Sequence, residues 1–397
     1  MVIPPFVGSR PTTLNLYVAL VGASGTGKGA TTGAAATLIP NLHGAIETQP
    51  ASGEGIAAMF AGRRYVDDPQ DEKKKVSELY CISSRALLNI PEIRTLGGTM
   101  NRTGNIIAPT LTSAYSGEPL GAWNKQEENR LLAPAYGYSL SLITGVQPAN
   151  SDILTKETGT GLPQRFLWAY VTDQEAPDSR PLPPNGPIPL DLDAWPRDPE
   201  RDSLDFLYLV RDRSNMLDPD KRYPLTMLHY PDAVWNIIDA DRLDILHGKP
   251  LDPLDAHKSI VTTKIAGLLA LTEGSTNVDM DDWLSAEQIV AESIRNRRKC
   301  LEEGAASQRN DMAESMRLKD DAREQADTLL RQRTRKRILD YLTKHDPNKG
   351  GIPDYKLRHV LSNPQRHVYR DVIDEMNEKN EITKISDDGV IYYSLCW

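Results

Sequence analysis

The chain has 397 residues, a net charge of −9 and a hydrophobic fraction of 39%, enough for two or three domains with a real apolar core. The acidic balance excludes nucleic-acid coating by the whole surface but not a local basic patch. Three cysteines without CxxC spacing and seven histidines without ligand spacing exclude a disulfide framework and a structural zinc site. No charged leader precedes an apolar stretch, and no apolar run is long enough to span a bilayer, so the cytoplasm is expected and a membrane partner is not.

A short extended lead-in is expected over residues 1–13. The apolar run Leu14 to Val21 then ends abruptly in Gly22-Ala23-Ser24-Gly25-Thr26-Gly27-Lys28, followed by Gly29-Ala30 and a small-residue helical segment. Strand, glycine loop and helix in this order read as a P-loop. Consecutive N–H groups from Gly22 through Ala30, with Ser24, Gly25, Thr26, Gly27 and Gly29 among them, curl around a phosphate. The helix N-terminus adds partial positive charge, and Lys28 meets the β/γ-phosphates of ATP. The residue after Lys28 is ordinarily Ser or Thr, whose hydroxyl holds Mg²⁺; here it is Gly29. Adenylate-kinase-like P-loops also read GKG and hold the metal through water. The nearest hydroxyls, on Thr31 and Thr32, are out of register.

Candidate strands follow at Tyr17–Val21, Ala45–Glu47, Leu79–Ile82, Tyr138–Thr144 and Phe166–Val171, alternating with helical patterns as in α/β folds. The charge cluster over residues 63–78 reads as a solvated loop or helix face. Residues 176–224 open with a proline-rich stretch that cannot hold a helix or central strand and read as a connector. Helical periodicity returns over 225–332, with an apolar helix from Ile260 to Leu271 and another beginning at Asp281-Asp282-Trp283. From Ala286 to Lys336 the pattern gives one or two long exposed helices, with a break at Gly304 if there are two.

Residues 333–397 differ in character. Three helical segments precede a strand pair that turns at Asp387-Asp388-Gly389, the pattern of a winged helix-turn-helix. Between Arg331 and Asp371 stand eleven Lys and Arg against four Asp and Glu. The third helix offers Arg366, His367 and Arg370 to DNA, with Lys356 and Arg358 on the helix before it. The alternative is a protein-docking winged helix.

From the P-loop to about residue 300 the chain resembles the helicase-like ATPases of actinobacterial phages and plasmids, often found beside or fused to a primase–polymerase. The segments that carry the resemblance are VGASGTGKGA, PASGEGIAAMF, YGYSLSLITGVQPANSDIL, GTGLPQRFLWAYV and TKIAGLLALTEGSTNVDMDDWLSA. Their order also parallels AAA+ helicases of the minichromosome-maintenance type. The resemblance implies an α/β P-loop NTPase with an AAA+/RecA-like three-layer core over 1–175, a helical lid region and a C-terminal winged helix. It further implies a homo-oligomer, a hexameric ring, acting on DNA with ATP and Mg²⁺ and with a primase–polymerase as a possible partner.

Several roles are implied only by that resemblance. Thr144 or Gln147 takes the polar sensor position, Arg165 in Gln164-Arg165-Phe166 the arginine finger reaching a neighbouring subunit, and Lys264 the second basic sensor. Bland alternatives are a carboxylate partner for Arg165, a strand end for Thr144 and a snorkelling Lys264. DNA-facing loops fall between residues 97 and 130, with Arg102, Lys125 and Arg130. The resemblance also requires an apolar strand ending in acids, yet Leu79–Ile82 ends in Ser83-Ser84. Either that strand is misassigned or the catalytic carboxylate comes from elsewhere, with Glu54 the best substitute, ahead of Glu47 and Glu78; the alternative for Glu54 is a surface-loop glutamate. Two functional readings stand: a DNA-dependent ATPase motor for replication, or a nucleotide-binding DNA scaffold or loader with little or no hydrolysis. A small-molecule kinase is suggested only by GKG.

Overall fold

The computed structural model describes residues 2–4, 10–40, 44–68, 70–100, 102, 104–122, 125, 131–156, 158–179, 186–188 and 227–396. Most of the expected 176–224 connector, and Arg130, lie outside them. The chain divides into two compact units, Met1–Ser307 and Gln308–Trp397.

The first unit is mixed α/β. After a small antiparallel pair, β1 (Val2–Ile3) and β2 (Thr12–Thr13), come β3 (Tyr17–Val21), α1 (Lys28–Leu38), β4 (Ile46–Thr48) and α2 (Gly53–Ala58). Strands β5 (Ala61–Asp68) and β6 (Asp71–Cys81) form a separate antiparallel hairpin. Then follow β7 (Arg85–Ile90), α3 (Ile93–Met100), α4 (Ile107–Ser116), the short pair β8 (Leu120–Ala122) and β9 (Leu131–Ala133), β10 (Ser139–Val146), α5 (Asp152–Thr155) and β11 (Phe166–Tyr170). Five strands make one parallel sheet in the order β11-β3-β10-β7-β4.

Two expectations are corrected here. Leu79–Cys81 is a strand, as expected, but of the antiparallel β5–β6 hairpin and not of the parallel sheet: Cys81 pairs with Ala61 at the foot of the hairpin. The strand that stands in the parallel sheet at this point of the chain is β7, between β10 and edge strand β4. Residues 63–78 are likewise not a loop or helix face. Those in β5 and β6 are hairpin strands, whose many charged side chains fit a ribbon solvated on much of both faces.

One face of the sheet is buried on four of its five strands. Tyr17, Ala19 and Val21, Leu88 and Ile90, Leu140 and Leu142, and Phe166 and Trp168 all point into the core, against α3 and α4, while Ile46 and Thr48 of edge strand β4 are half-buried. The opposite face is mostly half-buried, at Val18, Leu87, Ile143 and Leu167, with Leu20 buried. Helix α1 has no buried residue. Its alanines and glycines therefore add little packing.

Asn15 ties the start of β3 to its neighbours. Its Nδ2 donates to Ala114 O at 2.7 Å, and its Oδ1 accepts from Leu140 N at 3.0 Å. This side chain is buried, so both of its functional ends find backbone partners.

The helical part continues with α6 (Asp232–Leu246), α7 (Lys258–Thr272) and α8 (Met280–His345). The expected apolar helix at 260–271 lies within α7. Helix α8 is a single run of 66 residues and does not break at Gly304. It covers the free edge of β11: Ser293 Oγ accepts from Trp168 N at 2.7 Å, and Asn296 Nδ2 donates to Trp168 O at 3.2 Å. Backbone groups that would otherwise be an open sheet edge are thereby paired. Among the described residues no helix is long and apolar enough to cross a membrane.

In the second unit, the last turns of α8 pack with α9 (Asp354–His359), α10 (Asn363–Glu378) and a three-stranded antiparallel sheet of β12 (Ile352–Pro353), β13 (Ile382–Asp387) and β14 (Val390–Leu395). Ile338, Leu342, Leu357, Tyr369, Val372, Ile373 and Tyr393 form its core. Asp388 and Gly389 both have positive φ, 44° and 79°, as a two-residue hairpin turn requires. Arg331 bonds Asp327, Asp371 and Glu375, fastening α8 to α10.

Gly304 explains why α8 tolerates a glycine. A Cβ there would fall well inside contact with Pro148 O and lie 2.6 Å from Ser151 Oγ. Helix propensity alone predicts that Gly304→Ala stabilises by about 0.5–1 kcal/mol. The close approach predicts the opposite sign, a loss of about 1–3 kcal/mol by urea unfolding.

Candidate functional site

Strand order reverses at β3, whose neighbours β10 and β11 both follow it in the chain. In open parallel sheets, ligand crevices lie beyond the carboxyl ends of strands at such a reversal. The glycine loop leaves β3 at that position. Gly25 and Gly27 have φ of 80° and 102°, which residues with a Cβ rarely adopt. Gly22 N donates to Val146 O at 3.0 Å, anchoring the loop to β10. Lys28 Nζ turns back and donates to Gly22 O at 2.7 Å and Ala23 O at 2.8 Å.

Ser24, Gly25, Gly29 and Ala30 are exposed. Thr26 Oγ1 donates to Ala23 O at 2.9 Å. Thr31 and Thr32 donate to Gly27 O and Gly29 O within their own helix, so neither hydroxyl is directed at the loop mouth.

One acid at this corner is not among the residues singled out from the sequence. Ile90, the last residue of β7, is followed by Pro91 and Glu92, so an acid stands two residues past the strand. Glu92 Oε2 accepts from Gln147 Nε2 at 2.9 Å. Its other oxygen, Oε1, is buried without a partner. Gly145 joins these parts: a Cβ on it would meet Pro91 O and lie 3.3 Å from Lys28 Cε. Lys28, Gln147 and the Pro91–Glu92 turn thus gather at one corner.

Side-chain alternation separates the two sensor candidates. Gly145 faces Lys28, so Thr144 faces the other way, with Leu140, Leu142 and Val146. Thr144 is wholly buried, and its Oγ1 has no hydrogen-bond partner. Gln147, just past the strand, reaches the acid. Glu54 is exposed in the first turn of α2, beyond edge strand β4. Glu47 accepts from Asn89 Nδ2 at 2.7 Å. Glu78 falls in β6, and its side chain lies outside the described residues.

Arg165 and Lys264 stand at the other end of the sheet. Arg165 precedes Phe166, which pairs with Tyr17 at the start of β3. The five residues of β3 put about 17 Å of strand between that end and the glycine loop. Arg165 Nη1 donates to Gly161 O at 2.6 Å, and its guanidinium lies 5.6 Å from the Tyr115 ring centroid.

Lys264 is fully buried. Its Nζ donates to Asn15 O at 2.8 Å and Tyr115 O at 2.6 Å, and sits 3.3 Å from the Tyr115 ring centroid. Burial and the nearby Arg165 charge hold its pKa well below the usual lysine range. The expected second sensor is therefore not brought to the loop of its own chain, nor does it snorkel; it is a buried tie between α7, α4 and β3.

Of the expected DNA contacts, Lys356, Arg358, Arg366, His367 and Arg370 are all exposed on α9 and α10. Arg366 donates to Arg358 O at 3.0 Å and His359 O at 3.2 Å, closing the end of α9. Arg370 lies 3.9 Å from Asp354, and Arg358 5.9 Å from the Tyr369 ring centroid. Arg102, in the turn after α3, and Lys125 are exposed.

Among the described residues no direct Mg²⁺ ligand set stands at the corner: position 29 has no hydroxyl, and Pro91 stands before the single acid Glu92. Among the described residues no group of three His, Cys, Asp or Glu is placed to hold a metal ion. Comparison with protein-family models and with curated proteins found no match to this chain.

His257 lies beside Arg165 at the opposite end. Burial, then the charges of Arg165 and Lys264, lower its pKa to about 4. The unfolded chain takes up a proton near pH 6.5 that the folded chain refuses until about pH 4. Stability from this group is thus present above pH 6.5 and is lost as the pH falls towards 4. Urea midpoints measured from pH 7 to 4 should fall less steeply for His257→Gln than for the parent protein.

Proposed function

We propose that the chain is a P-loop ATPase of the AAA+ class that assembles into a ring and acts on DNA in the replication of a phage, plasmid or integrated element. The observation that carries this reading is the convergence of Lys28, Gln147 and Glu92 at the strand-order reversal. Backbone N–H groups of the loop and the ammonium of Lys28 would hold the phosphates. To do so, Lys28 exchanges its carbonyl partners for phosphate oxygens. Glu92 is the group suited to orient and deprotonate an attacking water, and Gln147 holds its carboxylate in place. No step is assigned to a directly bound metal, because the chain's own residues do not furnish its ligands.

Arg165 stands far from the loop of its own chain, so a role in turnover requires a second subunit. A guanidinium there offers a planar fork to a neighbour's γ-phosphate. The bend onto Gly161 O would have to open first. The basic surface of α9 and the first turns of α10 is the part of the second unit suited to phosphates. The turn of the β13–β14 hairpin carries Asp387 and Asp388, which repel them.

One observation favours a second reading. With Gly29 at the hydroxyl position and Pro91 at the first acid position, the chain is suited to bind nucleotide and turn it over slowly or not at all. It would then be a nucleotide-gated DNA scaffold or a loader for a primase–polymerase.

Phosphate release with and without single-stranded DNA separates the two readings. For the motor, Lys28→Ala loses ATP binding. Glu92→Gln keeps binding while kcat drops by about 10²–10⁴. Arg165→Ala keeps binding and loses about 10³ or more in kcat. A parent protein that binds ATP without phosphate release supports the scaffold. One that stays monomeric by mass photometry with ATP and DNA, yet hydrolyses ATP, removes the ring and the arginine finger.

A further inference from the structure

Three consecutive residues at the end of β10 each touch a different part of the proposed site. Gly145 lies against Pro91 O and Lys28 Cε. Val146 O accepts from Gly22 N at 3.0 Å, and Gln147 Nε2 donates to Glu92 Oε2 at 2.9 Å. Gly145 does not have a positive φ, so its backbone conformation does not call for glycine. Space does. A Cβ would stand well inside contact with a backbone carbonyl, which cannot rotate away as the tip of a flexible side chain can. Its third near neighbour is a carbon of the Lys28 side chain, 3.3 Å away.

Glycine in a strand interior normally costs stability, through backbone entropy and the missing side chain. Here the bare backbone lets the turn that carries Glu92 close onto β10 next to the lysine stem. We infer that Gly145 is a positioning residue, and that the tripeptide Gly145-Val146-Gln147 sets the separation between the phosphate-binding lysine and the carboxylate. This rests on the ATPase reading above. Gly145 touches no substrate; it acts through Pro91, Glu92 and Lys28.

An added methyl must push the Pro91–Glu92 turn away by about 1 Å, and a misplacement of that size is enough to cost about 10²-fold in rate. In the full-length protein, Gly145→Ala should leave the ATP dissociation constant within about threefold and lower kcat by about 30-fold or more. A merely structural role would add its effect to that of any other change. Positioning of Glu92 predicts instead that Gly145→Ala/Glu92→Gln is no slower than Glu92→Gln alone. Unchanged turnover in Gly145→Ala, or additive losses in the double variant, overturns the inference.

Should Gly145→Ala fail to fold, Gln147→Leu cuts the tripeptide's tie to Glu92 and must give the same split between binding and turnover; full turnover in Gln147→Leu overturns it. If the parent protein hydrolyses no ATP, the ATPase reading fails separately. A crystal structure of Gly145→Ala or of Gln147→Leu then decides: an unmoved Pro91–Glu92 turn overturns the inference, and a displaced one supports it.

Discussion

Parallel pairing of β3 with β10 is the constraint from which the site follows. Register sets Val21 opposite Val146, so both strands run out at the same level. What comes next on each strand must then share one corner. On β3 that is a loop with two glycines of positive φ, and on β10 it is Gln147. The next strand, β7, pairs Ile90 with Thr144 and delivers Pro91 and Glu92 to the same corner. A slip of one residue between β10 and either neighbour would turn Gly145 away and point a buried side chain at the lysine. Asn15 opposes that slip from the other end, because its single side chain bonds both α4 and the start of β10.

The opposite end of the sheet follows a different physical logic. Lys264, Arg165 and His257 gather there around Tyr115 and Gly161. The lysine is satisfied by two backbone carbonyls and an aromatic face, with no carboxylate among its partners. Such an arrangement supplies hydrogen bonds but little net countercharge, and both His257 and Lys264 are held below their ordinary pKa values. Arg165 keeps one buried nitrogen, Nε, without a partner. The two ends of the sheet therefore differ in chemistry: a glycine loop, one lysine and one acid stand at the carboxyl ends of the strands, and three basic side chains gather at the other end.

Some of this organisation was legible in the sequence, and the failures have identifiable causes. The glycine loop, β3, β10, β11 and the strand pair turning at Asp388-Gly389 all fall where periodicity and turn residues put them, because each rule involved is local. The acid-bearing strand was misread because Leu79–Cys81 is more β-like in composition than Arg85–Ile90. The first closes a hairpin; the second carries Arg and Asn in a sheet whose second face is half-buried. Reading Leu79–Ile82 as a strand of the main sheet directs attention to Glu54 and away from Glu92. Lys264 was misplaced for another reason: an apolar helix with one lysine gives no sign of which end of the sheet that lysine reaches. Gly145 left no signal at all, since a glycine that exists for space looks like any other glycine until its neighbours are known.

The chemistry at the corner decides how far the motor reading can be pressed. A glycine loop before a helix N-terminus offers backbone amides, and Lys28 stands at its end. The ATPase reading asks for more, a carboxylate held in a fixed pose nearby. Glu92 is held in an uncommon way. One oxygen is occupied by Gln147, while the other is buried and unmatched. An unmatched buried carboxylate oxygen costs free energy, about 1–3 kcal/mol or more for a charged group. A water or a ligand arriving at Oε1 would recover part of that cost. Glu92 is the sole carboxylate of the turn, and Pro91 directly before it has its own φ fixed by its ring. Rigidity next to the acid, a glycine that lets the turn close and an amide that clamps one oxygen all restrict the same carboxylate.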